Sequence, residues 1–549
     1  MENVQLLVLF SFAVLIGAFF FKGLSIFGDD IAYSGFVRDA VNGDFSVTIN
    51  IFSIRLLATL PVAMFVKVFG FTDFGAGAYA YFSYIGTVMM LYFIGKELYG
   101  RRAGLLSAFL FAICPVALKY GTTLEPMTPL SFFLSVAVFV LIRGMKKGNK
   151  WHFWACGVVG FIATLTSPLA YVYVLFLGAY LLCVAVRGFL TGKKENLLPA
   201  LGFFLLGFIT AVAILGMVNL KIANGNPFVE FSMTDYYYSG TGGPNQIYYT
   251  NPSLTYYVEN YFPYGLVDKV LRPVLSLNFA ALARNVQSLS AGVLSMQSIS
   301  INEVGFFGYF EVLAFAYLLA KGEKRSYFVM LLAAFVLGYM EFGTMSIGKY
   351  VPIYKLMRFT IIAAIPLSLV LGMALARFTE GKGNLRIARI PVAAAIVAFL
   401  LVTSLPIDYW FYLYNHNSLE YVKLTASYLG KLPDTGILRV YGPALEPYYL
   451  DYFLGGMQAA QTASYDNGAY GGLFLPRCSD IPNRTYLVIP SADDLNRING
   501  YDLWNINETW AFDPSICGLK LVEDIYNSSA VKGMVPKDAT MSGNLFYKS

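Results

Sequence analysis

The sequence contains little charge and almost no histidine. Among its 549 residues, 13% are Asp, Glu, Lys or Arg, and only two are His. A Ser-His-Asp mechanism would depend on His416 alone, because His152 is far away in the chain. The sequence also lacks a G-x-x-x-x-G-K-S/T phosphate loop, a G-x-G-x-x-G fingerprint after a strand and an H-E-x-x-H helix motif. These absences weigh against a nucleotide cofactor, nucleotide-driven transport and zinc-protease chemistry.

Apolar residues dominate what is present. The chain is 57% hydrophobic and 17% aromatic, which is too apolar for a soluble enzyme and typical of a polytopic membrane protein. We expect no nucleic-acid partner. The formal net charge of +6 has to be interpreted from the positions of the Lys and Arg residues, which lie in short loops between apolar runs.

Eleven apolar segments are predicted to span the membrane, so the predicted fold class is mainly α, a polytopic helix bundle. When these spans alternate, the basic clusters of the short loops fall on one side, which the positive-inside rule makes cytoplasmic. Ser53–Gly70 would disturb this alternation as a further span, so we predict that it lies in the interface. The predicted spans are residues 4–27, 75–98, 103–119, 128–143, 152–167, 168–187, 197–220, 304–320, 326–342, 359–376 and 390–406.

Two domains are predicted from the change in composition near residue 406. Residues 1–406 form the membrane domain, with outer loops 28–74, 120–128, 221–303 and 343–358. Residues 407–549 are less apolar and predict an extracytoplasmic soluble domain of α/β or α+β type. Cys478 and Cys517 are the only cysteine pair there and predict a disulfide in an oxidising compartment. The remaining cysteines are interpreted as small buried hydrophobes: Cys114, Cys156 and Cys183.

Three carboxylates at the outer ends of predicted spans are the candidate chemical groups. Asp29 and Asp30 follow the first span directly, and Glu125 stands before Pro126 in a later outer loop. A carboxylate at such a boundary can take a proton from a hydroxyl or hold a divalent cation against a phosphate. The alternative is structural: Asp29 caps a short helix that begins near Ile31, Asp30 lies in its first turn, and Glu125 is an ordinary loop acid.

At these residues the sequence resembles the GT-C superfamily of membrane glycosyltransferases, which includes protein O-mannosyltransferases and the lipid A aminoarabinose transferase. The stretch GDDIAYSGFVRDAVNGDF resembles the acidic motif of their first outer loop, and TTLEPMTPLSFFLSVAVFVLIRG resembles the next outer loop. The run KYVPIYKLMRFTIIAAIPLSLVLG is similar to a junction that carries basic residues in several branches. The predicted architecture of many spans and an outer carboxy-terminal domain also fits this superfamily.

The resemblance implies a role for each matching residue. Asp29 would be the catalytic base, Asp30 would orient the acceptor or assist a metal, and Glu125 takes the place of the second-loop acid. Asp30 and Glu125 are the implied ligands if a divalent ion such as Mg, Mn or Zn takes part. The implied donor is a sugar on a polyprenyl phosphate, whose leaving phosphate three cations would neutralise. These cations, for which snorkelling at a helix end is the alternative, are Lys349, Lys355 and Arg358.

The predicted function is therefore sugar transfer from a polyprenyl-phosphate carrier to a hydroxyl of a protein, lipid or glycan. The enzyme would be a multi-pass protein of the plasma membrane with its active site outside the cytoplasm. Tyrosines between Tyr236 and Tyr261 would help to form the acceptor cleft, although interface anchoring alone explains most of them. Two alternatives stay open: a lipid-linked sugar transporter or flippase, and another lipid-carrier enzyme such as a glycan ligase or polymerase.

Overall fold

The fold is mainly helical in the computed structural model of the chain, as predicted. The residues that the structure describes are 2–25, 29–47, 52–191, 198–223, 225–227, 229, 307–343, 357–380, 384–429, 438–442, 452–453, 460–464, 485–490, 519–524 and 543–548. The helices in these residues are α1 (Glu2–Phe19), α2 (Asp30–Asn42), α3 (Leu56–Phe69), α4 (Asp73–Tyr99), α5 (Arg101–Ala112), α6 (Pro115–Gly121), α7 (Met127–Lys147), α8 (Lys150–Thr164), α9 (Ala170–Leu190), α10 (Leu198–Ile222), α11 (Phe307–Ala320), α12 (Tyr327–Phe342), α13 (Ile361–Thr379) and α14 (Asn384–Leu429). Short 3₁₀ turns cover Lys324–Ser326 and Met357–Thr360.

The chain is an integral membrane protein. Within the described residues, six helices are long and apolar enough to cross a membrane, and a bent pair, α5 with α6, brings the number to up to seven. The six include α4, α7, α9, α10 and α13 together with the apolar part of α14. Every segment predicted to span is overlapped by a helix, but several of these helices are short, so the count of eleven crossings stays a prediction.

The predicted span 103–119 is broken rather than straight. The helix axis bends by 62° between α5 and α6. Pro115 begins α6, and Cys114 before it has the extended backbone that a following proline favours. The ring has no N–H to donate to the preceding turn, so α5 ends at Ala112 and α6 starts in a new direction.

The chain divides into two compact units, the first of which comprises Met1–Phe21, Ser46–Ala58 and Tyr79–Tyr409. In this unit α13 packs against α5, α11 and α12, while α8 packs against α7 and α10. Gly148 closes α7 in the left-handed conformation, and the Asn149 side chain caps α8 by accepting from the Trp151 amide at 3.0 Å. Cys114 and Cys156 are buried as predicted, but Cys183 is exposed, because it lies on the outward face of α9.

The second unit comprises Lys22–Phe45, Thr59–Ala78 and Trp410–Ser549. Its strands are β1 (Leu438–Gly442), β2 (Ala460–Ser464), β3 (Thr485–Pro490), β4 (Leu519–Asp524) and β5 (Gly543–Lys548). They form one sheet in the order β2-β1-β3-β5-β4, in which β1 is parallel to β2 and β3. The strand β5 is antiparallel to β3 and β4. The predicted domain boundary at residue 407 stays a prediction, and Cys478 and Cys517 lie outside the described residues.

Candidate active site

Glu125 and Arg358, which are 233 residues apart in the sequence, form an ion pair in the first unit. Glu125 Oε1 lies 3.2 Å from Arg358 Nη1. The Glu125 side chain is fully buried, and only 14% of the Arg358 side chain is exposed. A charge pair with so little water around it interacts more strongly than a surface pair, because less solvent screens it. Glu125, predicted as a second acid, and Arg358, predicted as a phosphate ligand, are therefore bonded to each other.

Glu125 lies in the short loop between α6 and α7, and a hydrogen bond anchors the first residue of this loop. The hydroxyl of Thr122, the first residue after α6, donates to the carbonyl of Phe20 at 3.0 Å. At the other end Pro126 is the cap residue of α7, so Glu125 stands next to the positive end of that helix. The loop thus presents a buried carboxylate where both a helix end and a guanidinium stabilise its negative charge.

A buried tyrosine supports the break that leads into this loop. The Tyr84 hydroxyl donates to the carbonyl of Ala112, the last residue of α5, at 2.6 Å. The Tyr84 ring is fully buried and packs against Gly121 at the end of α6. A carbonyl at a helix end that is buried in a membrane protein needs such a donor. Tyr84 therefore contacts both helices of the bent pair.

A second buried tyrosine supports the Arg358 side of the ion pair. The Tyr173 hydroxyl of α9 donates to the carbonyl of Ile362 at 2.6 Å. Ile362 lies in the first turn of α13, directly after the 3₁₀ turn that carries Arg358. The Arg358 guanidinium also lies over the ring of Phe359, 5.5 Å from its centroid. Sequence reasoning did not find Tyr84 or Tyr173, because a tyrosine inside an apolar run has no distinguishing pattern.

Lys119 is a further buried cation that sequence reasoning missed. It is 4% exposed, and its ammonium lies over the Tyr120 ring, 5.1 Å from the centroid. Its helix, α6, packs against the 3₁₀ turn of Arg358. The only sequence signal for this residue was its place at the end of the predicted span 103–119. Lysines at helix ends commonly extend to water, so that place did not indicate a buried cation.

Asp29 and Asp30 lie together in the second unit at the start of α2. Asp30 is fully buried and its Oδ2 accepts from the Ser25 backbone amide at 2.7 Å. Asp30 is the first residue of α2, where an acid interacts favourably with the helix dipole. Asp29 is half-buried and stands at the cap position, but its side chain makes no capping hydrogen bond. The structural alternative is therefore right about the helix and about Asp30, and wrong about capping by Asp29.

The other predicted site residues are not described. Lys349, Lys355 and the tyrosines between Tyr236 and Tyr261 lie outside the described residues. In the part of the chain that is described, no group of three or more His, Cys, Asp or Glu side chains is arranged to hold a metal ion. Oε1 of Glu125, a predicted metal ligand, is bonded to the Arg358 guanidinium, which competes with a cation for that oxygen. The pairing with Arg358 therefore gives no support to a metal at Glu125, and a metal requirement stays a prediction.

Part of the chain matches known sequences. The family model of dolichyl-phosphate-mannose-protein mannosyltransferases matches residues 56–214. Over 160 residues the chain is 28% identical to the mannosyltransferase candidate YkcB of Bacillus subtilis (strain 168). That match covers 28% of this chain and 21% of YkcB, so the chain spans about a fifth of the length of this curated relative. The segment matched by the family model includes Glu125 and the helices from α3 into α10.

Two solved structures are similar over most of the chain. ArnT from Cupriavidus metallidurans, bound to undecaprenyl phosphate, is 12% identical with a TM-score of 0.51, and the match covers 99% of this chain and 98% of ArnT. The Archaeoglobus fulgidus oligosaccharyltransferase, tethered with an acceptor peptide, is 11% identical with a TM-score of 0.51, covering 82% of this chain and 63% of that one. At such identities the likeness shows the fold. The GT-C resemblance is confirmed: the chain has the fold of that superfamily.

Proposed function

We propose that this protein transfers a sugar from a polyprenyl-phosphate carrier to an acceptor hydroxyl at the extracytoplasmic face of the plasma membrane. The observation that carries the proposal is the buried ion pair between Glu125 and Arg358 in a chain with the GT-C fold. A nearly water-free guanidinium is a suitable partner for a phosphate that arrives from the bilayer and leaves with additional negative charge.

Arg358 is assigned to the leaving phosphate. As the bond between the anomeric carbon and the phosphate oxygen breaks, its electron pair stays on the polyprenyl phosphate, and the charge on that group increases. A guanidinium has five N–H donors, and the bond to Glu125 Oε1 uses Nη1. Glu125 is therefore assigned to orient Arg358, so that the guanidinium plane is fixed before the donor binds.

Asp29 is assigned as the base. It takes the proton of the acceptor hydroxyl, while the hydroxyl oxygen forms the new bond to the anomeric carbon. It stands at the start of α2 beside the buried Asp30, where a carboxylate can accept a proton from a hydroxyl. Asp30, which is buried and bonded to the Ser25 amide, is assigned to fix the orientation of the Asp29 backbone. Direct displacement inverts the anomeric carbon.

The donor and acceptor classes are supported by what the similar structures hold. ArnT was solved with undecaprenyl phosphate and the oligosaccharyltransferase with an acceptor peptide. We propose a polyprenyl-phosphate sugar, mannose first, as the donor, and a protein, lipid or glycan hydroxyl as the acceptor. A requirement for a divalent metal stays a prediction.

The test uses purified protein in proteoliposomes with a panel of labelled polyprenyl-phosphate sugars. Each sugar is assayed with and without an acceptor mixture, and in the presence or absence of EDTA. We expect label to move to an acceptor and free polyprenyl phosphate to appear in equal amount. Movement of intact lipid-linked sugar across the bilayer without bond cleavage would contradict transfer and favour a flippase. Loss of transfer with EDTA, restored by Mg²⁺ or Mn²⁺, would establish the metal requirement.

A further inference from the structure

In the second unit, residues from the carboxy-terminal part of the chain contact the segment that precedes α4 and the first residue of that helix. Lys423 Nζ lies 2.6 Å from Asp73 Oδ2, and the Tyr452 hydroxyl donates to the Thr72 carbonyl at 3.1 Å. The Tyr452 ring meets the Phe71 ring edge to face, with centroids 5.4 Å apart. These five residues are called the Asp73 clasp.

The clasp combines a charge pair with buried aromatic surface. Tyr452 is 1% exposed, and its burial, followed by the negative charge of Asp73, raises its pKa, so the hydroxyl remains a donor at neutral pH. The Lys423 ammonium also lies over the ring of Phe453, 5.8 Å from its centroid. The Lys423 and Asp73 side chains are 20% and 33% exposed, so their charges are partly shielded from water. A short charge-assisted bond in such a place is stronger than a surface ion pair.

Asp73 in turn contacts the segment that carries the acid site. A methyl group added at Gly23 would lie 2.5 Å from Asp73 Cβ, so the two backbones pass in direct contact. Gly23 has φ of +80°, which only glycine adopts without strain. Two residues later, the Ser25 amide donates to Asp30 Oδ2. From Asp73 to the carboxylate of Asp30 the path is therefore one backbone contact, two peptide units and one hydrogen bond.

The position of Asp73 is itself fixed by the start of α4. Thr72 caps this helix, because its hydroxyl oxygen accepts from the Gly75 amide at 3.1 Å. Asp73 is the first residue of α4 and favours the positive helix end. The Gly23 segment therefore contacts the first residue of a capped helix.

We propose that the Asp73 clasp positions the Asp29–Asp30 acid site, with Lys423 and Asp73 as positioning residues through which the carboxy-terminal part of the chain sets the geometry of transfer. This inference rests on the proposed function for the roles of Asp29 and Asp30. Lys423 and Asp73 are not assigned any contact with substrate. Breaking the clasp should therefore lower turnover and leave donor affinity unchanged.

The test is Lys423→Met in the full-length protein, with Lys67→Met as the matched control. Lys67 lies on the exposed face of α3 in the same unit. We expect Lys423→Met to lower kcat about tenfold at an unchanged KM for the lipid donor. A misplacement of about 1 Å can cost about 100-fold in rate, and the clasp acts on the acids only through the Gly23 segment. Lys423→Arg, which keeps the charge, should restore most of the rate, and Lys67→Met should behave like the wild type.

Hydrogen exchange gives a readout that does not depend on activity. The Ser25 amide and the first-turn amides of α2 should exchange faster in Lys423→Met than in Lys67→Met, because the Gly23 segment loses its support. Unchanged exchange there would overturn the clasp, whatever the rates. Faster exchange with an unchanged kcat would overturn its link to turnover. If the wild type transferred no sugar at all, the proposed function would fail, and the exchange experiment would still decide whether the clasp holds the acid site.

Discussion

The two acid sites differ in what holds the carboxylate. Glu125 is bonded to the Arg358 guanidinium, whereas Asp30 accepts from the neutral backbone amide of Ser25 at the start of α2. An ion pair compensates the charge of the acid and fixes the cation beside it. A backbone amide orients the acid without adding a positive charge. The first arrangement suits the binding of another anion, and the second suits proton abstraction by the neighbouring Asp29.

The largest effect on turnover is expected for substitution of Asp29, the residue assigned as the base. Asp29→Asn should lower kcat by about 100- to 10,000-fold, the usual contribution of a general base, while donor binding stays the same. Initial-rate kinetics and binding of labelled donor measure the two quantities. Asp44→Asn, which changes an exposed carboxylate after α2, should leave both unchanged. Full turnover in Asp29→Asn would assign the base elsewhere.

Removing either partner of the buried ion pair should mainly affect stability and donor binding. Arg358→Met or Glu125→Gln should each cost about 3 kcal/mol, the lower end for buried pairs, because Arg358 is 14% exposed. The double variant should cost less than the sum, since neither charge is then left without its partner. Thermal unfolding in detergent measures these changes.

The control for this prediction is an exposed ion pair in the same unit. Arg377 Nη1 lies 3.2 Å from Glu380 Oε2, and both side chains are more than 40% exposed. Arg377→Met should cost under about 1 kcal/mol, as surface pairs do. We also expect Arg358→Met, but not Arg377→Met, to raise the donor KM. Equal effects of the two substitutions would remove the special role assigned to the buried pair.

The smallest effect concerns the support of the Glu125 loop. Tyr84→Phe removes the bond to the Ala112 carbonyl and should cost about 1–3 kcal/mol, the range for a buried polar group that loses its partner. It should also raise the donor KM a few-fold, because Glu125 and hence Arg358 become less well oriented. The unfolding midpoint and initial rates check this.

Tyr81→Phe provides the matched control on the same helix. The Tyr81 hydroxyl donates to the Val14 carbonyl at 2.8 Å, away from the break between α5 and α6. It should lower stability by a similar amount and leave the donor KM unchanged. A KM change of equal size in both variants would mean that Tyr84 acts only through general stability.

The helical fold was predictable, because long apolar runs specify helices, and each of the eleven segments predicted to span is overlapped by a helix. Residues 103–119 were predicted as one span, whereas the helix axis bends by 62° before Pro115, a residue type that breaks helices. The sequence identified Glu125 and Arg358 from their places at span ends. Their pairing was not predictable, since a contact between residues so distant in the chain leaves no periodic pattern.

The supporting residues were the least predictable. Tyr84 and Tyr173 look like ordinary members of apolar helices until their acceptors are known. Lys423 and Asp73 are single charges in unrelated segments, and only the folded chain shows that they meet. Sequence patterns report which residues are chemically able to react. The side chains that hold them in place belong to the tertiary structure.

The short length of α5 sets the depth at which the chemistry is expected. Twelve residues of helix rise about 18 Å, which is well short of the roughly 30 Å of hydrocarbon in a bilayer. If Arg101 and Arg102 mark one headgroup layer, the bend at Cys114 lies below the opposite one, and the chain continues from there towards Glu125. A carrier with a long isoprenoid tail would then not have to lift that tail into water to bring its phosphate to Arg358.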